Sequence, residues 1–373
     1  MATQIIRVDA DQPPCEAMDR AGEVLRSGGL VAFPTETVYG VGARADDSAA
    51  VARLREIKSR DGEKGFTVHI PSPEDLADFG PELTGMAGRF VRKGWPGPLT
   101  LVLPVADPSS AAIMAGRNGS AARAMYYNNS VGLRCPEDRV AHEILSRVGA
   151  PVVAASANRA GQPPPRTADD VLRELDGKFD LLIDAGPTKY AKPSTIVRVT
   201  GESYELLREG VYDAGVIERL AVSRLLFVCT GNTCRSPMAA ILAEKLIAQK
   251  IGCGVEELSG RGIIVESAGT MGGRGAASPE AVAVMARQGL DLSRHVSARL
   301  SAEMVQQSDY IFAMTRSHST AIQALAPSAA GRVSLLLDDG DVADPIGGSE
   351  EEYERCAQRI EEALGVRLLE LSL

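Results

Sequence analysis

The sequence predicts two α/β domains in tandem, and three observations carry that expectation. The chain has 373 residues, which at roughly 100–200 residues per domain points to two domains. In both halves, short apolar runs alternate with segments whose apolar residues recur at helical spacing. A fresh start, a strand opening into a Cys/Gly loop, comes at Arg224. The domains are expected over residues 1–213 and 222–373.

In the first domain, residues 29–33 read as a strand and Ser48–Ile57 as a helix, because Val51, Leu54 and Ile57 share one face. Residues 66–70, 99–103, 131–134, 152–155 and 195–199 read as further strands. Residues 158–167 contain Pro163, Pro164 and Pro165 and can only be a loop. In the second domain, residues 224–228, 263–266, Tyr310–Ala313 and 333–336 read as strands, and residues 237–251 as a helix. Helical patterns between these strands imply βαβ crossovers and a parallel sheet. The acidic run Glu350-Glu-Glu352 reads as a helix start, where negative charge suits the helix dipole.

Composition narrows the function classes. Hydrophobic residues make up 45% and charged residues 24%, as in ordinary globular proteins. The net charge is −9. Residues 1–213 carry 25 Lys/Arg against 29 Asp/Glu, and residues 214–373 carry 15 against 20. Neither half is basic, so no whole-surface attraction to nucleic acid is expected. The N-terminus has no cationic start before an apolar core. No apolar run approaches the ~18–20 residues of a spanning helix. A cytoplasmic protein without membrane contact is expected. Six cysteines are too few for a disulfide scaffold, and four histidines in no ligand array predict no metal site.

The segment Phe227-Val-Cys-Thr-Gly-Asn-Thr-Cys-Arg-Ser-Pro-Met238 is the most informative. A buried strand delivers Cys229 to a tight loop that enters a helix near Ser236 and Pro237. Backbone N–H groups and the positive helix end then converge on an anion site. Arg235 supplies a two-pronged donor for phosphate oxygens. A cysteine so placed is expected to react as thiolate, with Ser236 bonded to its sulfur. Asp344, on the distant loop Asp341-Val-Ala-Asp-Pro-Ile-Gly-Gly-Ser349, is the candidate general acid.

Residues 222–373 resemble the low-molecular-weight protein tyrosine phosphatase family. The matching pieces, in order, are Val228-Cys-Thr-Gly-Asn-Thr-Cys-Arg-Ser236, Glu266-Ser-Ala-Gly-Thr270, Ser308-Asp309 and Asp344-Pro345. The resemblance implies a Rossmann-like parallel-sheet domain that needs no cofactor. It implies Cys229 as nucleophile, Arg235 as phosphate clamp and Asp344 as acid, within the loop Thr230, Gly231, Asn232, Thr233, Cys234 and Ser236. It further implies that Asn232 and Ser267 hold the loop, that Cys234 can pair with Cys229 in a protective disulfide, and that His295 is structural. One branch of the family acts on phosphoarginine. Thr233, where tyrosine-specific members carry a bulky aliphatic residue, and Ile346-Gly347-Gly348, where they carry aromatics, point to that branch. A phosphoprotein, at phosphoarginine, is the expected substrate.

In the first half, Pro34-Thr-Glu-Thr-Val-Tyr-Gly40 follows a strand and is dense in hydroxyls. By itself it also fits a strand–turn–helix junction. Lys58, Arg60 and Lys64 set three cations within seven residues. They read either as a solvated run or as groups that hold a triphosphate. Ser156-Ala-Asn158 and Ser194-Thr195 add hydroxyl and amide groups. Trp95 reads as a core or loop anchor rather than a base-stacking platform.

These pieces together resemble the threonylcarbamoyl-AMP synthase family, the YrdC-like fold, over roughly residues 5–212. Its further matches are His69, Gly94-Trp-Pro-Gly-Pro-Leu-Thr100, Val131-Gly-Leu-Arg134, Gly161 and Leu207-Arg208. The resemblance implies a twisted mixed-sheet α/β domain. It implies a nucleotidyltransferase that forms threonylcarbamoyl-AMP and pyrophosphate from ATP, L-threonine and bicarbonate, feeding t6A modification of tRNA by a separate transferase machinery. Lys58, Arg60, Lys64, Ser130, Asn158 and Arg208 would contact ATP. Thr35, His69, Arg134, Ser156 and Ser194 would surround threonine, with Arg134 on its carboxylate. Mg2+ would arrive on the ATP phosphates. The competing reading makes the first half a nucleotide- or RNA-binding module without turnover, and the second a tyrosine phosphatase.

Overall fold

Two sheets, one mixed and one parallel, organise the chain. The computed structural model describes residues 3–58, 64–369 and 371. The chain divides into two units, Met1–Leu220 and Ala221–Leu373.

The strands of the first unit are β1 (Gln4–Arg7), β2 (Val31–Phe33), β3 (Gly40–Arg44), β4 (Thr67–His69), β5 (Leu99–Pro104), β6 (Tyr126–Tyr127), β7 (Ser130–Arg134), β8 (Val152–Ser156), β9 (Leu181–Asp184), β10 (Thr195–Thr200) and β11 (Ser203–Arg208). They form one sheet in the order β1-β9-β2-β3-β8-β4-β7-β5-β10-β11, with β6 beside β7. Parallel pairs such as β4 with β7 alternate with antiparallel pairs such as β3 with β8. The sheet is therefore mixed, as the family resemblance implies. The central strands are buried on both faces, which explains their nearly continuous Val, Ala and Leu runs. Helices Cys15–Arg26 and Arg139–Val148 cover one face around Met18, Leu25, Ile144 and Leu145.

Two expectations need correcting here. Pro34–Gly40 is not a strand–turn–helix junction: it turns the chain from β2 directly into antiparallel β3. Strands β1, β3, β6, β9 and β11 escaped the sequence reading. Two of them, β1 and β11, run along the sheet edges with half-exposed faces and mixed composition, so periodicity is weak there.

The second unit has β12 (Ser223–Cys229), β13 (Ile263–Gly269), β14 (Tyr310–Ala313) and β15 (Val333–Leu335), all parallel, in the order β13-β12-β14-β15. Alternation along β12 sends Leu225, Phe227 and Cys229 to one core and Leu226 and Val228 to another. Phe227 stacks on Phe312 at 5.4 Å. Each such side chain, fully buried, is worth roughly 1.5–3 kcal/mol. Helices Arg235–Ile251 and Glu350–Arg367 cover the first face. The helix after β12 begins at Arg235, two residues before the expected start. The strand order reverses at β12, so its C-terminal end opens at the switch point where doubly wound sheets hold ligands. Among the described residues, no helix is long and apolar enough to cross a membrane.

Two candidate active sites

In the first unit, a cleft of about 370 Å³ runs over the central strands. Thr67 and His69 are two apart on β4 and face it together. Arg134, opposite His69 in the β4–β7 register, ends β7 and enters from the next strand. Ser156, at the end of β8, lies opposite Gly40. Arg208, at the end of β11, pairs with Ile196 of β10, two residues from Ser194. Its guanidinium donates to the Ser194 carbonyl at 2.6 and 3.1 Å and to Ser194 Oγ at 3.1 Å. Thr100 Oγ1 lies 3.0 Å from Ser194 Oγ.

Lys58 closes the other side of the cleft. Its Nζ donates to the carbonyls of Ser156 (2.8 Å) and Asn158 (2.6 Å) and to Asn158 Oδ1 (3.1 Å). Ser156 Oγ donates to Asn158 Oδ1 at 2.6 Å. The Ser-x-Asn turn and Lys58 thus form one polar corner.

Arg134 is held by the Pro34–Gly40 turn. Its Nη2 lies 2.9 Å from Glu36 Oε1, 2.7 Å from Thr37 Oγ1 and 3.3 Å from Thr35 Oγ1. Arg134 and Glu36 are both buried, and Arg134 Nε and Glu36 Oε2 have no hydrogen-bond partner among the described residues. Burial, reinforced by Arg134, pushes the His69 imidazole down to about 3, so His69 is neutral. Burial and Arg134 also lower the Arg208 pKa from its ordinary value.

Seven of the expected residues thus line one cleft: Thr35, Lys58, His69, Arg134, Ser156, Ser194 and Arg208. Asn158 supports it through Lys58. Lys64 is exposed, and Ser130 Oγ donates to the Tyr127 carbonyl at 2.6 Å; neither lines the cleft. Arg60 lies outside the described residues. Glu36 is the residue that sequence reasoning passed over. Its signal was an acid inside an otherwise uncharged, hydroxyl-rich turn. Trp95 is an anchor: it is buried and its Nε1 donates to the Leu99 carbonyl at 2.7 Å.

In the second unit, β12 ends at Cys229 and helix Arg235–Ile251 begins six residues later. Cys229 Sγ accepts the Asn232 N–H at 3.2 Å and lies 3.0 Å from Ser236 Oγ. Asn232 adopts a left-handed φ of 55°, which its short polar side chain tolerates. That side chain donates to Ser236 Oγ (2.9 Å) and Ser267 Oγ (2.8 Å) and accepts the Ala298 N–H (2.8 Å). His295 Nε2 lies 2.8 Å from the Asn232 carbonyl, and Ser297 Oγ donates to the Gly231 carbonyl at 2.7 Å. A Cβ on Gly269 would sit 2.6 Å from the Thr230 carbonyl oxygen, so the loop packs against bare backbone there.

Arg235 is buried. It donates to the Val342 carbonyl at 3.1 Å and bonds the Asp344 carboxylate through Nη2, while its buried Nε has no partner among the described residues. Asp344 is the more exposed member of that pair. Thr233 is partly exposed in the loop. All six cysteines are thiols, and Cys234 Sγ lies 3.2 Å from the Tyr353 hydroxyl. Burial and the Cys234 contact push Tyr353 up to about 12. His318, to which the sequence assigned no role, touches the loop. Its Nε2 lies 2.9 Å from Thr230 Oγ1 and its Nδ1 2.8 Å from Thr315 Oγ1. Burial, then the Arg235 charge, lowers its pKa from 6.5. No local motif marks His318, because it joins the loop from 88 residues away.

The comparisons with known proteins place each unit in a family. The family model described as telomere recombination, Sua5/YciO/YrdC, matches residues 23–210, and that of the low molecular weight phosphotyrosine protein phosphatases matches residues 224–372. The chain is 36% identical over 200 residues to the threonylcarbamoyl-AMP synthase of Pyrococcus abyssi, covering 54% of this chain and 56% of that one. It is 35% identical over 192 residues to that of Bacillus subtilis, covering 51% and 52%. The chain therefore spans about half the length of these curated relatives. The crystal structure of P. abyssi Sua5 complexed with L-threonine matches with a TM-score of 0.52 at 23% identity, over 98% of each chain, a likeness of fold. The chain belongs to the Sua5/YciO/YrdC family and carries, joined to that domain, a domain of the low molecular weight phosphotyrosine protein phosphatase family.

Proposed function

We propose that the chain is a bifunctional cytoplasmic enzyme. The unit Met1–Leu220 forms L-threonylcarbamoyl-AMP. Bicarbonate adds to the threonine amine with loss of water. A carbamate oxygen then attacks the α-phosphorus of ATP, the α–β bridging P–O bond breaks, and pyrophosphate leaves. The product supplies a separate machinery that installs t6A on tRNA. The observation that carries this reading is the convergence of Lys58, Arg134, Arg208 and the hydroxyls of Thr35, Ser156 and Ser194 on one cleft, together with the names of the curated relatives. Cations there offset charge that builds during adenylyl transfer. Lys58, Arg60, Lys64, Ser130, Asn158 and Arg208 serve ATP; Thr35, His69, Arg134, Ser156 and Ser194 serve threonine. Neutral His69 accepts or donates a hydrogen bond without adding charge. Mg2+ would be held by the nucleotide and would offset its charge there, since the described lining of the cleft offers Lys58, Arg134 and Arg208 and no Asp or Glu.

The unit Ala221–Leu373 is a phosphoprotein phosphatase. Cys229 sulfur attacks phosphorus, the bond to the leaving group breaks, and Asp344 supplies the proton that the leaving group takes. Water then cleaves the S–P bond, giving its proton back to Asp344 and releasing phosphate. The observation that carries this is Cys229 at the end of β12, bonded by Asn232 and Ser236 at a helix N-terminus. Arg235 exchanges Asp344 for the substrate phosphate, which frees the acid. The leaving group is a guanidinium: Thr233 offers a hydroxyl in the loop, and Ile346-Gly347-Gly348 offers no aromatic wall.

The first test is threonine- and bicarbonate-dependent pyrophosphate release from ATP, with the product mass checked, in wild type and Arg208→Ala. Turnover in wild type that Arg208→Ala loses supports the synthase. No threonine-dependent turnover, in a preparation that hydrolyses p-nitrophenyl phosphate, returns the first unit to a binding module.

A further inference from the structure

We propose that the rim of the Cys229 loop is a docking surface for an acidic, aliphatic-rich segment of a phosphoprotein, an inference that rests on the phosphatase reading above. The unit carries few highly exposed aliphatic side chains. Among the described residues, four exceed three-fifths exposure: Met271 at 78%, Leu369 at 76%, Ile346 at 70% and Val296 at 66%. Three of these four flank the loop. The Met271 N–H donates to the Thr230 carbonyl at 2.9 Å. Val296 stands between His295 and Ser297, whose side chains bond the carbonyls of Asn232 and Gly231. The Ile346 N–H donates to Asp344 Oδ1 at 3.3 Å. Exposed apolar groups gathered at one place mark a binding surface, whereas single scattered ones do not.

Charge selects the partner. The segments that carry Met271 and Val296 also carry Arg274, Arg294 and Arg299, all exposed, and are tied together by bridges between Gly269 and Arg299 and between Ala276 and Val296. A cavity of about 430 Å³ is lined by Ile346, Arg355 and Arg359 on one hand and by the acids Asp344 and Glu352 on the other. None of Arg274, Arg294, Arg299 and Arg355 makes an ion pair among the described residues, although residues 214–373 hold 20 acids against 15 bases. Arginines outside close ion pairs on an acidic domain, with Arg294 acting only at longer range on Asp291 and aliphatic side chains between them, fit a segment with Asp/Glu and Leu/Val around its phosphorylated residue. Such rim charges steer encounter and set preference more than they add raw affinity. The aliphatic groups suit a chain segment rather than a free phosphorylated amino acid, which would leave them uncovered.

The test uses the full chain, p-nitrophenyl phosphate, and two phosphoarginine peptides, one flanked by Glu and Leu and one by Lys and Ser; phosphotyrosine versions run in parallel. Wild type is expected to favour the Glu/Leu peptide in kcat/KM by on the order of tenfold, with the preference shrinking as salt rises. Arg274→Glu/Arg299→Glu/Arg355→Glu is expected to erase or reverse that preference, and Met271→Ser/Val296→Ser to lower kcat/KM for the Glu/Leu peptide. Both variants should keep wild-type p-nitrophenyl phosphate turnover, which also shows that they fold. Equal rates on the two peptides in wild type, or an unchanged preference in the charge-reversed variant, overturn the docking surface and leave the phosphatase reading standing. Absence of p-nitrophenyl phosphate turnover in wild type overturns both.

Discussion

Arg134 Nη2 and Glu36 Oε1 form an ion pair 2.9 Å apart, with side chains 6% and 1% exposed, and Arg134 lines the cleft of the first unit. The residues are 98 positions apart, and the turn after β2 brings them together. A buried pair costs desolvation on both sides, so its retention beside a cleft is more readily explained by positioning than by stability.

Removing one partner strands the other charge. Glu36→Ala is expected to destabilise the first unit by about 3–5 kcal/mol, whereas the double variant Glu36→Leu/Arg134→Met should recover much of that loss. Denaturant unfolding checks both. Equal losses in the single and double variants would show that the pair is not the cause.

Gly269 meets loop backbone that cannot yield: its Cβ would approach the Thr230 carbonyl oxygen at 2.6 Å and the Asn232 nitrogen at 2.9 Å. Gly269→Ala should cost about 1–3 kcal/mol and should suppress phosphatase turnover while sparing the synthase reaction. Phosphatase kinetics at wild-type level in Gly269→Ala would refute the tight loop packing.

Cys229→Ser should abolish phosphate-ester turnover. Asp344→Asn should lower kcat by roughly 10²–10⁴-fold, the range for a lost general acid. A burst of leaving group without steady turnover would instead place Asp344 only in the second step. Thr233→Ile should move the preference from phosphoarginine toward phosphotyrosine, and an unchanged ratio of the two rates would count against the arginine reading.

His69 carries the clearest pH dependence in the first unit. Its folded pKa, about 3, lies below the ordinary 6.5, because burial and Arg134 disfavour its charged form. The unfolded chain takes up the proton first. Stability from this group is complete above 6.5, falls as pH drops below that value, and is gone below about 3. Asp138 opposes it: burial raises its pKa from 3.8 to about 6, so it adds stability as pH falls through that window. Unfolding measured across these values should therefore show a shallower acid loss in His69→Asn than in wild type, and a steeper one in Asp138→Asn. Parallel curves for wild type and His69→Asn would remove His69 from the account.

The sequence by itself determined the two α/β units, the parallel sheet of the second and the local Cys229–Ser236 motif, whereas the mixed sheet of the first was implied only by the family resemblance. The physical reason is locality. The short loop from the end of β12 at Cys229 to the helix that begins at Arg235 puts the sulfur, the Asn232 N–H and Ser236 together by chain proximity, while Val342 and Asp344 hold the Arg235 guanidinium from more than 100 residues away. Chain proximity likewise forms the Ser156–Asn158 turn. What only tertiary structure decided are contacts across long separations: Glu36 on Arg134, Lys58 on the Ser156–Asn158 turn, His318 on Thr230 and Tyr353 on Cys234, the last 119 residues apart. Each pairs polar groups that burial would otherwise leave unsatisfied. Partner choice there depends on which strand ends and helix faces the sheets bring together, and on the register of their pairing. No spacing along the chain encodes that.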